Sequence, residues 1–133
     1  MPFPVDPKFI SRTEDKLGVR LPLGYISKML PNNGGSVHTS DEVWQLYPIY
    51  DDSDKKRVKR TCNDVVRETA NASTWRDFPS HAVAIGNNGG GDQLVLLRRD
   101  GENRLGDDVF WWDHETGDLH HVADDFADLD KED

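Results

Sequence analysis

Apolar positions in the first thirty residues recur at helical spacing. Phe9, Ile10, Thr13 and Leu17 share one stripe of a helix that Asp6-Pro7 opens, as cap and first helical residue, and that Gly18 ends. Three prolines within residues 2–7 predict an extended lead-in over residues 1–9 that merges into this helix. Leu21-Pro22 opens a second helix, with Tyr25, Ile26, Met29 and Leu30 again three or four apart. Pro31-Asn32-Asn33-Gly34-Gly35 stops it. Each helix is expected to run about three turns.

The pattern then shortens. Val43, Trp44, Leu46 and Tyr47 predict a strand closed by Pro48. Asp51-Asp52-Ser53-Asp54 caps a helix over residues 55–71, in which Val58, Cys62, Val65, Val66 and Thr69 form an apolar stripe. Two apolar runs, residues 82–86 and 93–98, flank a Gly-rich segment. In the second, Leu94-Val95-Leu96-Leu97 does not alternate with polar residues, which predicts a central strand covered on both faces. Residues 109–113 and 118–122 form a hairpin around His114-Glu115-Thr116-Gly117. Residues 123–129 read as a short acidic helix, and residues 130–133 as a fraying end. Helices first and strands later give an α+β class in one domain, residues 1–133, with two N-terminal helices preceding the sheet.

Charge sharpens this picture. The chain of 133 residues has a net charge of −9, yet residues 107–133 hold eleven acids and one base, a net of −10. The other 106 residues carry fourteen acids and fifteen bases. Without a one-sided basic surface, general affinity for nucleic acid or an anionic membrane is not expected. Cys62 is the only cysteine, so no internal disulfide forms. With no signal-peptide pattern and no stretch of about 20 apolar residues, the expected location is cytoplasmic.

Candidate chemistry is sparse. The loop at residues 86–92 lacks the Lys and Ser/Thr of a phosphate loop, precedes a strand, and ends in Asp92, so it reads as a turn. Asn87, Asn88 and Asp92 offer oxygen ligands, but not at EF-hand spacing. Asp113-His114 and His120-His121 lie across one hairpin. Only one of the adjacent pair can share a face with His114, and no zinc motif supports a site, so surface histidines are the expected reading. His38 and His81 read as solvated. Cys62, on the helical stripe, reads as a buried, inert thiol. The basic run Lys55 to Arg60 reads as a solvated face. No catalytic constellation, metal or cofactor is expected.

Several segments together resemble the SUKH superfamily, the Smi/Knr-like proteins. Leu17-Gly18-Val19-Arg20-Leu21-Pro22, with Tyr25 and Leu30, is similar to the family's opening. Asn33-Gly34-Gly35 followed by Trp44-Gln45-Leu46 resembles its next motif. Ala84-Ile85-Gly86-Asn87-Asn88-Gly89-Gly90-Gly91-Asp92 resembles its strand, Gly-rich turn and Asp. Trp112-Asp113-His114-Glu115-Thr116-Gly117 resembles its late hairpin. The pieces occur in family order over residues 10–127. Their residues read as structural: Leu21, Pro22, Trp44, Leu46, Gly34, Gly35, Gly86, Gly89, Gly90, Gly91, Asp92, Asp113 and Gly117.

The resemblance implies an α+β fold with a mixed, largely antiparallel sheet and flanking helices, and no catalytic residues. It also implies protein binding, since many bacterial members are immunity proteins that neutralise a cognate toxin, often a nuclease. The expectation is therefore an immunity protein whose partner presents a basic surface. Asp107, Asp108, Asp124, Asp125 and Asp128 are the candidate contacts, standing in for phosphates, with Trp111 or Trp112, if exposed, as anchor. The alternative is a regulatory or scaffolding module of the Smi/Knr type with no toxin partner.

Overall fold

Asp6 and Pro7 start the first helix as their chemistry dictates. In the computed structural model, which describes residues 3–39 and 41–132, helix α1 spans Pro7–Leu17. The Asp6 carboxylate accepts from the Lys8 amide, and Gly18 closes the helix at φ 74°. Residues 7–9, expected in the lead-in, are thus helical, and residues 1 and 2 lie outside the described residues. Helix α2, Leu23–Met29, has seven residues, about two turns rather than three. Pro22 holds an extended backbone at its N-cap and disfavours helix for Leu21, so the first turn starts late.

The fold is α+β, and its sheet is antiparallel at every strand pair among the described residues. Its seven strands are β1 (Ser36–His38), β2 (Val43–Leu46), β3 (Ala82–Asn87), β4 (Gln93–Arg98), β5 (Leu105–Trp112), β6 (Leu119–Ala123) and β7 (Asp130–Glu132). They lie in the order β6-β5-β4-β3-β2-β1-β7, curled into a half-barrel. The parallel component implied by a mixed sheet is an isolated bridge between Arg20 and Arg104, outside the strands.

Four local expectations differ from the structure. Residues 55–71 form two helices, α3 (Lys55–Thr61) and α4 (Val65–Ala72). Asp64 recaps the chain by accepting from the Arg67 amide at 3.0 Å, and the Val65 amide donates to Pro48 O at 3.0 Å. Cys62 falls in this break and is exposed, not buried on a stripe. The acidic helix at residues 123–129 is only a 3₁₀ turn, Phe126–Asp128, because Ala123 still belongs to β6. Residues 130–132 do not fray. They pair with β1, Ser36 opposite Glu132 and His38 opposite Asp130, while Lys131 Nζ donates to Asn32 O at 2.9 Å. Asp133 lies outside the described residues.

Strand β4 is covered on both faces. Leu94 and Leu96 join the main core with Phe9, Tyr25 and Trp44, whereas Val95, pointing the other way, packs with Ala82 and Trp112. Helices α1 and α2 and the 3₁₀ turn contribute to the main core through Ile10, Met29 and Phe126. No helix among the described residues is long and apolar enough to cross a membrane.

Candidate partner surface

Strand β5 decides where the two candidate tryptophans go. Adjacent strand residues face opposite ways, so Trp111 and Trp112 cannot share an environment. Trp112 is 1% exposed, stacked on Trp75 at 6.1 Å, edge-on to Phe78 at 5.1 Å, and donates from Nε1 to Asp77 O at 3.2 Å. Trp111 is half-buried, packs edge-on to Trp44 at 5.4 Å, and donates from Nε1 to Asp92 Oδ2 at 2.8 Å. The exposed aromatic on the far side is Trp75, at 42%. An isolated Trp in a turn carries no periodicity, so sequence reasoning had no signal to nominate it.

The five candidate carboxylates fall into two groups. Asp107 and Asp125 line a groove of about 500 Å³ that also holds Arg20 and Arg104. Asp108 and Asp124 flank His121, whose Nε2 lies 3.0 Å from one and 3.3 Å from the other. Asp124 and His121 also line, with Asp128 and His120, a further groove of about 520 Å³. The acidity that is continuous in sequence is therefore divided in space.

Asp92 fastens the Gly-rich turn to the late hairpin. Besides the Trp111 indole, it accepts from the His114 amide at 3.0 Å and pairs with His114 Nδ1. Burial disfavours its charge, but these hydrogen bonds outweigh burial and hold the carboxyl below its ordinary range. The bond to Asp92 raises His114 above the usual imidazole range. Gly91, at φ 106°, lies so close under the His114 ring that a Cβ there would sit 2.9 Å from it. Gly90 donates to Asn88 Oδ1 within the same turn. Asp113 organises the hairpin loop: its carboxylate accepts from the Glu115 amide, and its carbonyl from Gly117.

The remaining motif residues also sit at structural positions. Leu21, Trp44 and Leu46 are buried. Gly34 and Gly35 take φ of 110° and 80° after α2. Gly86 lies beneath the Gln45 carbonyl, 2.7 Å from where a Cβ would stand.

Two clusters have metal-ligating composition: Asp92, Asp113 and His114, and Asp108, His121 and Asp124, each with ligand atoms within 4.8 Å of one another. His114 and His121 belong to different clusters, so the structure does not assemble a cross-hairpin pair. His38 Nε2 lies 3.2 Å from Glu132 Oε2, a partner only strand β7 supplies. On α3 the basic run is not simply solvated, because the Phe3 ring packs against Lys56, Arg57 and Arg60 at 4.7–5.3 Å. Arg57 also pairs with Asp54 at 2.9 Å.

Compared with known proteins, residues 4–130 match the model of the SMI1 / KNR4 family (SUKH-1). No curated protein and no solved structure matches the chain.

Proposed function

The chain belongs to the SMI1 / KNR4 family (SUKH-1), and on that premise we propose that it is a protein-binding domain of the immunity type, which binds a toxin and blocks it. The observation that carries this reading is the family match across residues 4–130, nearly the whole chain. The chemistry agrees with binding rather than turnover. The two acid–histidine clusters lie on the surface, Asp92 and His114 are engaged in fastening loops, and Cys62 sits in a helix break with its Sγ directed to the Lys59 carbonyl.

Carboxylates from the last fifth of the chain supply the partner contacts. Asp108, Asp124 and Asp128 are all exposed. They suit a basic surface such as the substrate groove of a nuclease, and electrostatic steering speeds such encounters. The site is cytoplasmic, where the toxin would otherwise act. Co-expression with the protein encoded beside this gene tests the reading. Growth rescue with co-purification is expected. Binding to a cellular regulator, with no rescue from any neighbouring toxin, replaces immunity with the regulatory alternative.

A further inference from the structure

Beside the link between the two end strands of the sheet lies a groove rich in carboxylates. Among the described residues, strands β6 and β7 are the end strands, and each leaves one edge unpaired. The 3₁₀ turn Phe126–Asp128 links them in sequence, and the groove of about 520 Å³ lies beside this link. That volume is within the roughly 300–1,000 Å³ range of sites that take a ligand.

Four carboxylates line it, Asp41, Asp124, Asp128 and Asp130, together with His38, His120 and His121 and with no Lys or Arg among its lining residues. The groove holding Asp107 and Asp125 differs, since Arg20 and Arg104 offset two of its three carboxylates, Glu14 being the third. The pocket beside Arg57 and Arg60 contains only Asp51 as counter-charge. Trp111 forms part of the wall, and its indole is fixed by the 2.8 Å bond to Asp92 and by the edge-on His120 ring at 6.3 Å. Val122, Ala123 and Leu129 add apolar surface.

We propose that this groove receives a cationic side chain, Arg or Lys, carried on an extended segment of a protein partner. The carboxylates meet the charged head, Trp111 offers an aromatic face, and the apolar wall covers the methylene stem. The inference rests on the reading of this chain as a protein-binding domain and is independent of whether the partner is a toxin.

The probe is the blocked peptide acetyl-Gly-Arg-Gly-Arg-Gly-amide, titrated into the ¹⁵N-labelled full chain. Expected shifts cluster at the Trp111 indole and at residues 120–130. Asp124→Asn/Asp128→Asn/Asp130→Asn should weaken binding about tenfold. Asp15→Asn should leave it within about twofold, because Asp15 lies on α1, outside this groove. An unchanged melting curve keeps the triple variant interpretable. Equal binding of the Glu-containing counterpart, shifts outside the groove, or no response to millimolar peptide overturns the proposal. So does zinc chloride perturbing His121 at micromolar concentration while the peptide does nothing, which makes the cluster with Asp108 and Asp124 a metal site. Toxin rescue that fails while the peptide binds the groove removes the immunity reading alone. Rescue that persists, with the peptide ignored, removes this one alone.

Discussion

Thr69 of α4 takes the place of a missing strand beside Ala84 of β3. Its Oγ1 accepts from the Ala84 amide at 3.0 Å and donates to the Ala84 carbonyl at 3.5 Å. Strand β2 pairs with β3 only at Gly86 and Asn87, so Ala84 lies beyond its reach. Ala84 is fully buried, which leaves its backbone no ready access to water. One hydroxyl supplies both functions of a neighbouring backbone.

Thr69→Val should therefore destabilise the protein by about 1–3 kcal/mol, the cost of an orphaned buried amide. Thr69→Ser should recover most of the loss. Urea unfolding of both variants measures this. A Val variant as stable as the original would show that Thr69 contributes only packing.

The Asp92–His114 pair should give stability a pH dependence. Asp92 is held below its ordinary range, so its contribution is present above the unfolded carboxyl value of about 3.9 and lost as pH falls through the folded value. His114 is raised, so its contribution is full below about 6.5 and lost as pH rises through its folded value. The pair therefore stabilises most between about pH 4 and 6.5. His114→Ala compared with the unaltered chain should show the largest gap in urea midpoint in that window. A gap that widens steadily toward pH 9 would contradict the sign.

Two glycines of one motif should respond differently to substitution. Gly86→Ala drives a methyl toward the Gln45 carbonyl and should cost about 1–3 kcal/mol while loosening the β2–β3 pairing. Gly89 stands at φ 82° with open space around it, so Gly89→Ala meets only backbone strain of about 1–2 kcal/mol. Gly89→Asn should be close to neutral, since Asn tolerates this conformation. Amide exchange at Gln45 and Asn87 separates the cases: faster in the Gly86 variant, unchanged in the Gly89 variants.

Cys62 should react with a disulfide reagent in the folded protein without denaturant. It is exposed at the break between α3 and α4. Reaction only after unfolding would mean that the break closes over the thiol in solution. Cys62→Ser should shift stability by less than about 0.5 kcal/mol, as surface substitutions usually do.

The legible parts of the fold are those whose signal is local. Asp6, Pro7 and Gly18 carry the limits of α1 in their own conformational preferences, and the unbroken run Leu94-Val95-Leu96 carries double burial. Strands β1 and β7 are three residues each and pair across more than ninety positions. Asp130-Lys131-Glu132 has the composition of a solvated tail, and only its partner makes it a strand. The apolar stripe crosses Cys62 without interruption, so the break is visible only in Asp64 acting as a second cap. For the partner surface, charge density gave a region but not a face. Alternation along β5 turns Trp112 inward, and Arg20, distant in sequence, joins Arg104 in the groove that holds Asp107 and Asp125.

The pairing of β7 with β1 also carries a consequence for biosynthesis. Helices α1 and α2 leave the ribosome early and consist of local contacts that form quickly. His38 and its neighbours on β1, by contrast, wait for residues 130–132 before their second edge is satisfied. The sheet thus closes on β1 only once residues 130–132 have been made, and without them β1 itself becomes the edge strand.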